Sequence, residues 1–177
     1  MAGWLVALGL LLVAACGSAA PAEDPVDADD VMFVQMMVQH HRQGIEIAEV
    51  GAEKATTEEL RTLAAAVVST QRTEVEMMLR WLHAWGQPLT PPDGAHDHHG
   101  GLPETDRKKI AALRSAKPFE PALLTLLMGH QEEAVQMAAT EIRDGVNPEA
   151  TRWAAQVQES RKAQIDQMRQ FLARIND

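Results

Sequence analysis

The 177-residue chain has no tyrosine, only three phenylalanines and a single cysteine, Cys16. A lone cysteine cannot close a disulfide within the domain, so stability has to come from an ordinary core, for which the length is ample. Positive charge is also scarce: 16 Lys and Arg against 25 Asp and Glu leave a formal net charge of −9. That balance argues against a phosphate-tracking surface and so against nucleic acid as the main partner. Cations are the more natural ligands. No apolar run reaches the length of a normal membrane span. No Gly-rich phosphate loop, Cys nucleophile or Ser-centred elbow is present either, which leaves catalysis little to stand on. The chain is read as a non-enzyme.

What is abundant is methionine, with nine residues. Met is flexible and polarizable, and its thioether is a soft metal donor.

The first apolar run, "MAGWLVALGLLLVAAC", ends at Cys16 and is followed by the acidic "GSAAPAEDPVDADD". It reads as a secretory signal peptide over residues 1–16. Val13-Ala14-Ala15-Cys16 resembles a bacterial lipobox, which implies lipidation of Cys16 and a membrane anchor. Residues 17–26 then form a flexible tether, with Pro21 and Pro25 blocking helix. The expected location is outside the cytoplasm, in the periplasm or on the cell surface.

From Asp27 onward the pattern is helical. Met32, Phe33, Met36, Met37, His40, Ile45, Ile47 and Ala48 recur at intervals of three and four, and Asp27 with Asp30 can cap the start. Thr56 and Glu59 form a second capping-box pattern, opening a helix that runs to about Trp85 and stops at Gly86. A shorter helix is expected over 104–115, a third long one over 121–143 and a fourth from Pro148, capped by Asn147, to about Arg174. No strand pattern competes. The economical architecture is all-α: a four-helix bundle over residues 27–177, with halves 27–86 and 118–176 joined by a long connection, 87–117.

The halves repeat at a constant offset of ninety residues: His40 falls on His130, Ala48 on Ala138, Glu59 on Glu149, Met78 on Met168 and Leu82 on Leu172. This is a duplicated helical hairpin with a pseudo-twofold relation, in which His40 and His130 occupy equivalent places. Met36 and His40 share one turn, as do Met37 and His41, but neighbouring residues point about a hundred degrees apart. The periodicity puts Met36 and His40 inward and leaves Met37 and His41 towards a flank. Imidazole and thioether together suit Cu(I), Cu(II) or Ag(I). Met78, Met128, Met137 and Met168 taken singly also fit plain core packing. The acids Glu46, Glu49, Glu74, Glu76, Glu132, Glu133 and Glu141 do not repeat at the offset and read as solvated faces. Glu-x-x-His is absent, which removes the motif of a di-iron bundle. In the connecting loop, His96, His98 and His99 of "HDHHGG" can collect Cu(II), Ni(II) or Zn(II) with modest affinity, since the loop must be ordered on binding.

The segments "FVQMMVQHHRQGIEIAE" and "QRTEVEMMLRWLHAWGQP", with their echoes "LLTLLMGHQEEAVQMA" and "IDQMRQFL", resemble the bacterial family catalogued as domain of unknown function 305. The resemblance covers about residues 28–174 and implies an exported, ferritin-like four-helix bundle; some members bind copper or silver. By position, His40 and His41 match the family's His pair, Met36 and Met37 its preceding methionines, and Met78 its second-helix methionine. In the second half Met137 and Met168 match, but only His130 of the His pair is kept and Leu126-Leu127 replace methionines, so a second site should be weaker or lost. The expected function is sequestration or transfer of copper or silver ions through Met and His. The alternative is an envelope module with structural histidines that docks a protein partner.

Overall fold

The structure, a computed structural model, describes residues 24–91 and 107–176. Cys16, the signal segment, the start of the tether and the loop histidines His96, His98 and His99 lie outside the described residues. Among the described residues five helices follow in order: α1 (Ala28–Lys54), α2 (Glu58–Ala84), α3 (Arg107–Leu113), α4 (Phe119–Asp144) and α5 (Pro148–Asn176). The four long ones match the expected helices, and α3 falls inside the expected short one. Helix α1 pairs with α2 and α4 with α5, and the two hairpins join chiefly along α1 and α4. Among the described residues no helix is long and apolar enough to cross a membrane.

The helix starts explain the boundaries. Asp27 accepts from the backbone N–H groups of Asp29 and Asp30, and the Asp30 carboxylate accepts in return from Asp27 N at 2.8 Å, completing the capping box. Asn147 Oδ1 accepts from Glu149 N and Ala150 N and caps α5. The Thr56–Glu59 box does not form. Instead Glu120, at the start of α4, reaches across and accepts from Thr56 N at 2.9 Å and Thr57 N at 3.0 Å. The same exchange runs the other way: Asp30 of α1 accepts from Val146 N and Asn147 N at the start of α5. Asp30 and Glu120 are themselves ninety residues apart, as are Thr56 and Val146, so the duplication extends to its caps. At the far end of α2, Gly86 takes φ 65°, the left-handed conformation that closes a helix cheaply only in glycine.

The apolar core falls into two clusters. One gathers Phe33, Met36, Met37, Met78, Trp81, Met137 and Trp153. The other gathers Ile47, Leu60, Leu123, Leu127, Ile165 and Met168. Between them on every long helix stands a polar pair: His40 and His41, Gln71 and Glu74, His130 and Gln131, Arg161 and Gln164. All but Glu74 and Gln164 are essentially inaccessible to water. Such a layer costs free energy unless its groups find partners, so each residue in it calls for an explanation.

Candidate metal centre

The duplication places His40 and His130 on facing helices at equivalent positions, and the two rings meet face to face. Their centroids are 3.7 Å apart and their planes 9° from parallel. Equivalent residues of a twofold pair can touch only near the axis, so the two histidines occupy one place in the bundle. Glu133, one turn after His130 on α4, brings Oε2 to 3.6 Å from His40 Nε2. Among the described residues these three are the group of His, Cys, Asp or Glu able to hold an ion, with one donor atom each, all within 4.8 Å of one another. Neither ring nitrogen of His40 has a hydrogen-bond partner, and Oε2 of Glu133 has none either. Burial, then repulsion from His40, holds the His130 imidazole well below its ordinary pKa. It therefore stays neutral near pH 7 and keeps a lone pair for a metal.

Parallel rings carry one chemical implication. A metal bond to imidazole lies in the ring plane at about 2.0–2.1 Å, so both rings can converge on one ion only if one of them turns out of the stack.

His41 is not on a flank: it is fully enclosed, as is Met37. Its Nε2 lies 2.8 Å from Oε2 of Glu74 on α2. Burial, only partly offset by Glu74, lowers its pKa to about 4, so a neutral ring donates Nε2–H to the carboxylate. Burial alone would raise the Glu74 pKa, but the hydrogen bond from His41 and the attraction of Arg161 outweigh it and the net shift is downward. Arg161 of α5, 1% exposed, donates to the same Glu74 oxygen. Ninety residues on, Gln131 donates to Gln164 at 2.6 Å, so the repeat conserves the bridge geometry while removing its charge. Glu74, Glu133 and Glu141 are therefore corrections to the solvated-face reading. Glu74 and Glu133 belong to the polar layer, and Glu141 is 2% exposed at the end of α4.

The methionines divide. Met36, Met37, Met78 and Met137 lie in the apolar cluster on one side of the layer, and Met168 lies in the other. Met36 stands one turn before His40 and Met137 one turn after Glu133, each slightly exposed. The repeat found His130; what it missed was Glu133, which the spacing of three from His130 on one helical face could have signalled.

Gly44, one turn after His40, keeps room for this arrangement. A β-carbon there would meet Gln71 Oε1 and come within 2.6 Å of His130 Nε2. Gly44→Ala is expected to push His130 out of its stack and cost about 1–2 kcal/mol, overpacking outweighing the helix-propensity gain. A thermal melt checks the first effect, and the ion stoichiometry defined below checks the displacement.

The fold and layer define the class: an all-α bundle with a histidine pair buried on its internal axis. The chain belongs to the family described as Domain of unknown function (DUF305), which matches residues 30–172. It is similar to a DUF305 structure from Streptomyces coelicolor, with 26% identity and a TM-score of 0.76 over 82% of this chain and 93% of that one. A DUF305 fragment from Deinococcus radiodurans shares 28% identity at a TM-score of 0.74, over 85% and 99% respectively. CopM in its Cu(I)-bound form shares 27% identity at a TM-score of 0.70, over 84% and 98%. CopM has also been solved in Cu(II)-bound and silver-bound forms. No curated protein matches the chain.

Proposed function

We propose that this protein binds copper or silver ions outside the cytoplasm, sequestering them or handing them on, without catalysis. The observation that carries the reading is the buried group of His40, His130 and Glu133, in which neither His40 nitrogen has a hydrogen-bond partner, in a chain similar to CopM. Two imidazoles and a carboxylate suit a borderline ion such as Cu(II). Rotation of the rings towards Met36 and Met137 would add sulfur and extend the range to Cu(I) and Ag(I). His41, held by Glu74 and Arg161, acts as support for the layer and not as a ligand. Met78 and Met168 pack the core. His96, His98 and His99 of the loop serve as collectors, and a lipid on Cys16 would keep the protein at the membrane.

The reading is tested by titrating the protein with Ag(I), and with Cu(I) under reducing conditions, and counting bound ions by native mass spectrometry. A His96/His98/His99 triple alanine variant should keep one ion, and adding His40→Ala and His130→Ala should remove it. An ion count indifferent to His40 and His130 would sink the bundle site. The second reading, a protein-docking module, draws on the stack itself, since two parallel buried rings also fill space as a structural pair. It predicts no rise in melting temperature with either ion, whereas an ion held only by the native state must raise it.

A further inference from the structure

The three candidate ligands differ in their access to water. His40 is fully buried and His130 is 1% exposed, but the side chain of Glu133 is 36% exposed. That exposure opens onto a groove of about 670 Å³ between α3 and α4, walled by Leu113, Ala122 and Gly129 and reaching His130 and Glu133. The grooves between α4 and α5 and between α2 and α5 are lined by none of the three. Within the first groove Gly129 precedes His130, and a β-carbon built there meets nothing within 4 Å. A mid-helix glycine costs about 0.5–1 kcal/mol relative to alanine, and no neighbour requires one here. What it leaves is empty space beside the site. Glu133 meanwhile spans the boundary, exposed along its side chain yet with Oε2 buried and close to His40.

We propose that the groove between α3 and α4 is the route by which the ion reaches His40 and His130, with Glu133 receiving it from water and Gly129 keeping the passage open. This rests on the metal-binding reading above. A carboxylate at the boundary offers a hard, exchangeable first contact, and the imidazoles behind it offer the stronger nitrogen donors. The exposed Lys109 and Lys117 also line the groove and repel a bare cation, but their effect is screened within about 8 Å at physiological salt.

The test uses Gly129→Leu and, separately, Thr125→Leu, a second residue lining the groove, with Gln136→Leu, further along α4 where it lines the groove against α5 instead, as control. Two rates are measured on the intact protein. One is Ag(I) uptake, followed by tryptophan fluorescence in stopped flow, since Trp153 lies 6.2 Å from His41 in the layer. The other is acylation of His130 by diethyl pyrocarbonate, read by peptide mass spectrometry. In the groove variants both rates should fall about tenfold, the effect of about 1.4 kcal/mol of added barrier, while the final ion count is unchanged and Gln136→Leu keeps the parental rates. Parental rates in both groove variants overturn the route. If the parent takes up no ion at the layer, the metal reading and the ion route fall together, and the acylation rates still decide whether the groove is the way to His130. Should Gly129→Leu fail to fold, Thr125→Leu carries the same decision.

Discussion

Glu74→Ala is expected to destabilise the fold by about 3–5 kcal/mol, the usual result of removing one partner from a buried ion pair. Arg161 is 1% exposed and donates to Glu74, so truncation leaves a guanidinium in the core with nothing to neutralise it. The same substitution removes the acceptor of His41 Nε2–H, adding a buried donor without a partner. For a domain of this size the melting temperature should fall by roughly 6–20 °C. Calorimetry on the single variant checks this, and the double variant Glu74→Ala/Arg161→Met separates the causes. If the lost pair had itself been the source of stability, the double variant would be no better than the single one. If the unpaired charge is the fault, most of the loss returns. A melting temperature within 2 °C of the parent for Glu74→Ala would show that Arg161 finds water or another acceptor, a shift too small for the mechanism.

The second large effect is a pH dependence set by Glu141. Burial, then repulsion from Asp30 and the nearby Asp27 and Asp29, raises its pKa from 4.5 to about 8. The folded protein therefore keeps a proton that the unfolded chain releases near pH 4.5. A carboxyl with a raised folded pKa contributes its full stability below the unfolded value and loses it as pH rises through the folded one. Stability should decline between about pH 4.5 and 8 on this account and level off above. Glu141→Gln imitates the protonated side chain and cannot ionise. It should match the parent near pH 4 and exceed it at pH 9 by about 2 kcal/mol, a figure discounted for screening by water at the helix end. Paired urea melts at the two pH values measure it. An equal difference at both would mean that Glu141 titrates in the folded protein as it does in the unfolded chain.

The fold was legible because its signals are local. Asp27, Asp30, Asn147 and Gly86 mark helix ends within a few residues of themselves, and apolar spacing marks the buried faces between. Thr56 and Glu59 misled for the opposite reason: the groups satisfying the start of α2 sit on Glu120, 64 residues further on. Half of the candidate site was legible too, since comparing the halves pairs His40 with His130. The other half breaks that symmetry. Glu133 corresponds to Gln43, and Glu74 with Arg161 to Gln164 with Gln71, so a search for matching residues passes over the charged members of the layer. A ligand lying near a twofold axis needs to come from only one half, because its symmetry mate would compete for the same space.

Each hairpin begins its second helix with an acid borrowed from the other: Glu120 serves α2 and Asp30 serves α5. Neither half of the duplication is thus a self-sufficient folding unit. An excised hairpin would leave the first amides of its return helix without their partner, and the intact chain should unfold in one cooperative step. Two copies of one hairpin could reassemble only as an intertwined pair in which each lends its acid to its neighbour.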